Sequence, residues 1–297
     1  MGTASIWAAL HLRSPMVHAW RPGAGSRMRL GPLQVRVLGD GSEVVLLLHG
    51  MLGAGSYFGA AYDRLAADAT LVVPDLLGFA GSMDAPGPFD EHAHVAALDA
   101  VLDALARGRG GRPRQVRVLG HSMGGSLALR WAARTHHEVR QVVTSGAPLY
   151  RDPSEADRHI AAMGRFERLL SGDTQSSRRV CDAMCRHRGS AQWLAVASRP
   201  DLPVQVARDG VRHTWVSYRG AMVSLVRDQR WPLALAELTR RHVPVTFLTG
   251  RADPVPAPAQ LATAESERSG LSQVYRHPSA DHDLPMSHPG WVLERLG

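Results

Sequence analysis

The residues around Ser122 have the types and spacing of an activated serine nucleophile. Residues 120–124 read Gly-His-Ser-Met-Gly, after a predicted strand at Gln115–Leu119 and before a predicted helix at Leu127–Arg134. A serine on so sharp a strand-to-helix turn needs glycine two residues away on either side, because larger side chains would collide where the backbone reverses. We therefore predict Ser122 as a nucleophile for acyl chemistry. The Met123 N–H, at the start of the helix, is a predicted oxyanion donor.

A second backbone donor is predicted in an earlier loop. The apolar run Val44–Leu48 is followed by His-Gly-Met-Leu-Gly at residues 49–53. An oxyanion hole of this kind takes its second N–H from the loop after an earlier strand, and Met51 is the candidate. His49 lies at a strand end beside a glycine, so we predict that it bonds the loop backbone and is not the catalytic base.

A serine nucleophile also needs a base, and the base needs a carboxylate to orient it. Asp253 is the predicted acid because it lies in the loop after the apolar run Val243–Leu248. The chain has 15 histidines, so the base has to be selected by position. His282 follows the last predicted strand, Gln273–Tyr275, and is the predicted base.

The residues around His282 have predicted roles of their own. His277 lies at the end of the last predicted strand, and His288 precedes a proline at a predicted helix start. Both stay alternatives for the base. Asp281 and Asp283 flank His282 too closely to turn back to its Nδ1, and we predict them as loop and helix-capping residues.

The elements that carry these residues alternate between apolar runs and helical patterns from about residue 28 onward. This alternation is typical of βαβ units and a largely parallel sheet. Leu33–Leu38 and Val44–Leu48 are predicted to pair as a hairpin across the Gly-Asp-Gly-Ser segment at residues 39–42. Further helices are predicted at residues 57–67, 91–105, 233–239, 260–267 and 291–296, and further strands at 70–73 and 139–144.

The alternation stops after Pro148, and residues 151–230 show helical patterns without a buried-strand run. We predict a helical cap, or lid, at 151–230, inserted into an α/β core formed by residues 28–150 and 231–297. Residues 1–27 are predicted to be a loose N-terminal segment. Ligands of such sheets bind outside the carboxyl ends of the strands, where an insertion would cover them.

Together these motifs resemble the α/β-hydrolase fold family, in particular its capped, esterase-like serine hydrolases. The resemblance covers roughly residues 28–297. Besides the motifs above, residues 75–82 (Asp-Leu-Leu-Gly-Phe-Ala-Gly-Ser) are similar to the family's D-x-x-G-x-G-x-S stretch, with Ala80 in place of a glycine. The resemblance implies an eight-stranded, mostly parallel sheet with helices on both faces. It also implies the chain order Ser122, Asp253, His282 for the triad.

The predicted function is hydrolysis of a carboxylic ester, or of a lactone or thioester, through this triad and an acyl-enzyme. Three alternatives stay open: a carbon–carbon bond hydrolase of the meta-cleavage-product type, an acyltransferase, and an inert ligand-binding protein that kept the fold. The carbon–carbon hydrolases generally place an asparagine near the site, and this chain contains none. No metal or organic cofactor is expected, because the triad and two amides supply the nucleophile, base and oxyanion donors.

Charge and composition restrict the partners. The net charge is +7, yet all 34 basic residues are arginine, and no zinc-finger spacing or basic run accompanies them, so a nucleic acid partner is not predicted. Residues 151–230 hold 14 arginines against 9 acidic residues. Two interpretations of this excess stay open: an attraction for an anionic acyl substrate, or a solvated helix face.

The predicted location is the cytoplasm. No apolar run reaches the roughly 18 residues needed to span a bilayer, and residues 1–12 lack a basic region and a cleavage site. Cys181 and Cys185 lie four residues apart on a predicted helix, where a disulfide would be strained, and with His187 they would make a poor metal site. We predict free thiols and a small-molecule acyl substrate, with no membrane partner. No feature specifies an oligomeric state.

Overall fold

The architecture is a single mixed sheet covered by helices. The structure, a computed structural model, describes residues 17, 19–108, 115–163, 174–267 and 270–297. Its strands are β1 Ser26–Leu30, β2 Leu33–Leu38, β3 Glu43–Leu48, β4 Ala69–Pro74, β5 Gln115–His121, β6 Glu138–Ser145, β7 Val245–Gly250 and β8 Ser272–His277. They are ordered β1-β2-β4-β3-β5-β6-β7-β8. The pairs β1–β2 and β2–β4 are antiparallel and every other pair is parallel, which confirms the predicted eight-stranded, mostly parallel sheet.

The predicted hairpin between β2 and β3 is wrong, because β4 lies between these strands. The link at residues 39–42 crosses the first residues of β4. A Cβ on Gly39, which has φ +79°, would lie 2.4 Å from the Ala69 carbonyl oxygen, and a Cβ on Gly41 would lie 2.2 Å from that of Asp68. The two glycines therefore permit a close crossing and do not form a hairpin turn.

The described helices are α1 Glu91–Arg107, α2 Met123–Arg134, α3 Pro153–Met163, α4 Gln175–Arg186, α5 Arg188–Ser198, α6 Val204–Asp209, α7 Trp215–Ala221, α8 Trp231–Arg240, α9 Pro258–Glu265, α10 Leu284–Ser287 and α11 Pro289–Leu296. The predicted helix at residues 57–67 is instead two 3₁₀ segments, Gly55–Tyr57 and Ala60–Ala67. Among the described residues, none of the helices combines the length and the apolar composition needed to cross a membrane.

The N-terminal edge of the sheet begins earlier than the sequence pattern indicates. Strand β1 has the sequence Ser-Arg-Met-Arg-Leu, and most of its side chains are exposed, so it lacks the apolar run by which the other strands are found. It starts at Ser26, inside the segment 1–27 that was predicted to be loose. Residues 1–16 and 18 of that segment lie outside the described residues.

Both faces of the sheet are covered, and β3 shows how. Val44, Leu46 and Leu48 belong to a buried cluster that includes apolar side chains of α1, α2 and α8. Val45 and Leu47 belong to a second buried cluster with α11 and the 3₁₀ segment Ala60–Ala67. A strand buried on both faces reads as one apolar run, which explains why the central strands were predictable. The same burial fixes the carboxyl ends of the strands, where the candidate site lies.

Between β6 and β7 the chain passes through α3 to α7, a π-helical turn at Met222–Arg227, and α8. The described residues of this stretch contain no strand, apart from an isolated bridge between His213 and Phe79 of the core. Ile160 and Leu225 join the same buried cluster as the helices beside the sheet. The helical stretch therefore packs against the core near its carboxyl edge. That it acts as a lid with the bounds 151–230 stays a prediction.

Candidate active site

Ser122 lies on a sharp turn between β5 and α2, with φ 53° and ψ −123°. A Cβ on Gly120 would lie 2.1 Å from the Gly124 carbonyl oxygen, and one on Gly124 would lie 2.3 Å from that of Leu48. Glycine is therefore required at both positions by contact between backbones. The positive φ of Ser122 is a strained conformation that recurs at functional sites, and the Ser122 N–H holds the turn by donating to the Ser145 carbonyl at 2.8 Å.

The structure brings Ser122, His282 and Asp253 into one hydrogen-bonded line. Ser122 Oγ lies 3.0 Å from His282 Nε2, and His282 Nδ1 lies 2.9 Å from Asp253 Oδ1. The three residues follow the carboxyl ends of β5, β8 and β7, which meet at one edge of the sheet. The Asp253 side chain is only 1% exposed, and its Oδ1 also accepts from the Val255 N–H at 2.9 Å. The arrangement can move a proton from a hydroxyl to an imidazole that a carboxylate orients.

Opposing effects act on the pKa of His282. Burial alone would lower it, but the hydrogen bond and charge of Asp253, together with the charges of Asp283 and Asp281, raise the pKa above 6.5. A raised pKa makes His282 a stronger base toward the Ser122 hydroxyl, which suits general base catalysis.

Gly146 was not predicted, yet it contacts two of these three residues. It has φ +60°, and a Cβ on it would lie 2.7 Å from Asp253 Oδ2 and 2.8 Å from His282 Nδ1. Its N–H donates to the Leu248 carbonyl at 2.9 Å and so links the ends of β6 and β7. The sequence signal that could have found it is a glycine directly after a buried strand, here β6. This strand lies between β5 and β7, the strands that precede Ser122 and Asp253.

The candidate oxyanion donors lie on either side of Ser122. Met123 is the first residue of α2, where helix N–H groups have no acceptor within the helix. Met51 lies in the turn after β3, and this loop comes close to the nucleophile, since a Cβ on Gly50 would lie 2.9 Å from Ser122 Cβ. The position of both residues fits the predicted role, which stays a prediction.

His49 bonds only to the backbone in its hydrogen-bond contacts. Its Nδ1 donates to the Gly50 carbonyl at 2.8 Å, and its Nε2 accepts from the Leu76 N–H at 2.9 Å. Burial lowers its pKa, which favours the neutral tautomer that these two bonds require. His49 therefore ties the loop after β3 to the loop after β4, as the sequence suggested.

Asp75 closes the loop at residues 75–82. Its carboxylate accepts from the Gly55 N–H at 2.7 Å and from the Gly81 N–H at 2.9 Å. Ala80, which replaces the glycine usual at this place, has φ 46°. An alanine in this left-handed region carries a backbone strain that a glycine would not.

Tyr57 and His121 contact the loop that carries His282. Their rings stack with centroids 4.5 Å apart, and burial lowers the pKa of His121 to about 4. His121 Nε2 lies 3.0 Å from the His282 carbonyl oxygen, and Tyr57 donates to Asp283 Oδ1 at 3.3 Å. Arg199, from the helical stretch between β6 and β7, donates to the other oxygen of Asp283 at 3.1 Å.

The neighbours of His282 correct part of the prediction. Asp283 is the N-cap residue of α10, as predicted, but its side chain makes no capping bond there and instead contacts Tyr57 and Arg199. Asp281 accepts from the Asp283 N–H at 3.0 Å, as a loop residue. The rings of His277 and His288 contact each other with centroids 4.0 Å apart, and neither is the histidine that contacts Ser122.

Cys181 and Cys185 are free thiols in the structure. Their sulfur atoms lie 4.0 Å apart. The histidine beside them is His213, with Nε2 3.7 Å from the Cys181 sulfur, and not the His187 that the sequence analysis considered. Burial raises the pKa of Cys181 to about 12, which is typical of an unreactive structural thiol.

Comparison with known proteins supports this fold. The sequence profile of the α/β hydrolase fold matches residues 43–184. The solved structure of E-2-(acetamidomethylene)succinate hydrolase superposes with a TM-score of 0.67 at 20% identity, covering 92% of this chain and 97% of that one. The chain therefore has the α/β-hydrolase fold, and the matched profile covers just under half of it. At this identity the structural likeness shows the fold alone.

Two curated relatives match shorter regions. A 2-hydroxy-6-oxo-2,4-heptadienoate hydrolase of Pseudomonas putida is 32% identical over 114 residues, which are 37% of this chain and 39% of the relative. The lipase LipV of Mycobacterium tuberculosis is 33% identical over 127 residues, 42% of this chain and 44% of the relative. The match thus spans less than half the length of either relative.

Proposed function

We propose that this α/β-hydrolase-fold protein is a serine hydrolase that cleaves a carboxylic ester through an acyl-enzyme. Ser122 is the proposed nucleophile, His282 the base and Asp253 the carboxylate that orients it. The observation that carries the proposal is the pair of hydrogen bonds at 3.0 and 2.9 Å that joins these residues in series. Lactones and thioesters have the same reacting carbonyl and fall within the proposal.

The proposed mechanism follows from the position of each atom. His282 Nε2 takes the hydroxyl proton as Ser122 Oγ attacks the carbonyl carbon. The N–H groups of Met51 and Met123 stabilise the oxyanion that develops. The imidazolium then gives its proton to the departing alkoxide, and a water molecule repeats these steps on the acyl-enzyme. Asp253 keeps Nδ1 protonated, so that Nε2 presents its lone pair to Ser122.

For the substrate we propose a small acyl compound, with an anionic group favoured by the arginine excess of residues 151–230. The proposed location is a reducing cytoplasm, which suits the two free thiols of Cys181 and Cys185.

A second candidate is hydrolysis of a carbon–carbon bond. It is favoured by the Pseudomonas putida relative, which is named as a 2-hydroxy-6-oxo-2,4-heptadienoate hydrolase. A basic stretch beside the site would also suit an anionic dienoate. The lack of any asparagine in this chain counts against it. Because both reactions would use the same serine and histidine, only the substrate separates them.

The first experiment is intact-mass spectrometry after incubation with a fluorophosphonate. Wild type should gain one adduct and Ser122→Ala none. The control Ser279→Ala removes an exposed serine near His282 and should label like wild type. A folded wild-type protein that stays unlabelled would overturn the serine-hydrolase proposal and favour an inert binding protein.

Substrate assays then separate the two reactions. A p-nitrophenyl ester series of increasing acyl length should be turned over by wild type and not by Ser122→Ala. A 2-hydroxy-6-oxo-dienoate turned over faster than every ester would instead establish the carbon–carbon hydrolase. Adding an alcohol acceptor tests acyl transfer, because an ester product that grows with the acceptor at the expense of free acid would identify an acyltransferase.

A further inference from the structure

A second group of potentially reactive side chains lies at the opposite ends of the strands from Ser122. Asp99 and Asp103 lie one turn apart on α1, and His136 and His137 lie in the loop between α2 and β6. His137 directly precedes β6, whose first residue pairs with the first residue of β5. The group is thus at the amino ends of the strands, whereas the candidate active site is at the carboxyl ends.

The ligand atoms of this group converge. One oxygen of Asp99 and one nitrogen each of His136 and His137 all lie within 4.8 Å of one another. Asp103 Oδ1 lies 3.0 Å from His136 Nε2 and 3.4 Å from His137 Nε2. Nitrogen and oxygen ligands about 2.0–2.2 Å from a tetrahedral zinc ion lie roughly 3.3–3.6 Å from each other. The distance from Asp103 Oδ1 to His137 Nε2 lies within that range, and the 3.0 Å contact with His136 is a hydrogen bond that a bound ion would replace.

His137 supplies an independent indication of a ligand. Its side chain is only 8% exposed, and its Nε2 is buried without a hydrogen-bond partner among the described residues. This Nε2 lies 3.4 Å from Asp103 Oδ1, so it is turned toward the carboxylates of α1. A buried imidazole nitrogen that makes no hydrogen bond is free to bind a metal ion.

His136 and Asp99 complete the group. His136 is open to solvent, and Asp99 is held in place by neighbouring side chains. The His136 ring is 61% exposed, so an ion could reach the group from solvent. The rings of His136 and His137 lie next to each other, with centroids 4.2 Å apart. Asp99 Oδ1 is held by Trp131 Nε1 at 2.8 Å and by the Thr135 hydroxyl at 2.6 Å. Its Oδ2 lies 4.0 Å from His136 Nδ1.

We propose that His136, His137 and Asp103, supported by Asp99, form a binding site for a divalent transition metal of the zinc class. Two imidazole nitrogens with a carboxylate suit Zn²⁺, and they do not suit Mg²⁺ or Ca²⁺, which prefer oxygen ligands. The bound ion links α1 to the loop before β6 and so stabilises the core at the amino ends of its strands. It has no part in the proposed hydrolysis, since the site lies at the opposite ends of the strands from Ser122.

The test is isothermal titration of the full-length protein with Zn²⁺ at neutral pH. Wild type should bind one ion saturably, and Mg²⁺ should give no heat of binding. His136→Ala and Asp103→Ala alter side chains that are 61% and 39% exposed, so both variants should fold. Each should weaken Zn²⁺ binding at least about tenfold, as the loss of a ligand requires. The matched control His92→Ala removes another exposed histidine of α1 and should leave the affinity unchanged.

Co²⁺ provides the second readout, because imidazole coordination gives it a visible absorption band that the aqueous ion lacks. The band should appear with wild type and with Ser122→Ala, and should be lost in His136→Ala. Zn²⁺ binding of unchanged affinity in both ligand variants would place the ion elsewhere, for example at His277 and His288. That result, or no saturable binding by wild type, would overturn the proposed site and leave the proposed hydrolase untouched.

Discussion

The two sides of the candidate active site are held in different ways. On the core side, Ser122, Asp253 and His282 follow strand ends that the sheet holds together, and the Asp253 side chain is 1% exposed. The helical stretch between β6 and β7 packs on the core through buried apolar side chains such as Ile160 and Leu225, and next to His282 it adds polar contacts at its surface. One is the ion pair of Arg199 with Asp283 at 3.1 Å, in which Arg199 is 50% exposed.

Other polar contacts join that stretch to the loops after β3 and β4. The Ala80 N–H donates to the Arg212 carbonyl at 2.7 Å, and Ser56 donates to Asp209 at 2.6 Å. Contacts between exposed charges are worth less than about 1 kcal/mol, whereas a buried polar group that loses its partner costs about 1–3 kcal/mol. Changes on the core side should therefore have large effects on catalysis, and changes on the helical side small ones.

The largest effect is expected for Asp253→Asn. The amide cannot hold Nδ1 of His282 protonated by accepting as the carboxylate does, so kcat should fall by about 10⁴, as in other serine triads. Steady-state kinetics on the best ester would measure it. Asp281→Asn is the matched control, since that carboxylate acts on His282 only through its charge, and it should stay within a few-fold of wild type. Equal losses in the two variants would contradict the proposed role of Asp253.

Gly146→Ala should come next. The added Cβ would lie 2.7 Å from Asp253 Oδ2 and 2.8 Å from His282 Nδ1, in a backbone conformation with φ +60°. A displacement of about 1 Å in a catalytic group can cost about 10² in rate, and we expect a loss of that order in kcat. Gly189→Ala, in α5, meets no atom within 4 Å and should leave the rate unchanged. A wild-type rate in Gly146→Ala would show that Asp253 and His282 can shift to accommodate the added Cβ without loss of catalysis. The core side would then be no more sensitive to change than the helical side.

Asp283→Asn should change the pH profile. The wild-type rate should fall toward acid as His282 becomes protonated, with a midpoint above 6.5, because the pKa of His282 is raised. Since the charge of Asp283 contributes to that rise, its removal should move the midpoint of kcat/KM to lower pH. A pH–rate profile of wild type and variant measures the shift. A midpoint that moves to higher pH would contradict the assignment of His282 as the base.

Arg199→Ala should have a smaller effect of the opposite sign. Without the guanidinium, the charge of Asp283 is less neutralised, so the pKa of His282 should rise and the acid limb should move slightly to higher pH. The lost ion pair should cost less than about 1 kcal/mol, because half of the Arg199 side chain is exposed. The double variant with Asp283→Asn should behave like Asp283→Asn alone. Additive shifts would show that Arg199 acts on the site by another route.

The smallest change is expected for Ala80→Gly. Glycine relieves the strain of φ 46° but gives the unfolded chain more freedom, and these effects of about 0.5–1 kcal/mol each nearly cancel. Chemical denaturation should show a stability within about 0.5 kcal/mol of wild type, since glycine substitutions act on both states. Activity should be unchanged. A loss of activity would show that the loop at residues 75–82 controls the site more than its position suggests.

The sequence alone identified the three residues that now lie in one hydrogen-bonded line. For Ser122 and Asp253 it could do so because β5 and β7 are mostly buried and read as apolar runs. His282 follows the largely exposed edge strand β8 and was predicted from its position in the chain. The glycine at 120 was also predictable from local geometry, because a Cβ on it would meet the carbonyl of Gly124. The glycine at 124 fits the same motif, but the contact that requires it is with the carbonyl of Leu48 in a remote strand.

Contacts between distant segments were decided only by the tertiary structure. The order of β2, β3 and β4 depends on a chain crossing at Gly39 and Gly41, which in sequence looks like a turn. Gly146 matters because β6 lies between β5 and β7, and Arg199 because a helix ends near Asp283. The convergence of Asp99 and Asp103 with His136 and His137 has the same origin, since α1 and the loop before β6 are more than thirty residues apart. Local sequence encodes which face of an element is buried, but side chains from remote segments meet only when the whole sheet is assembled.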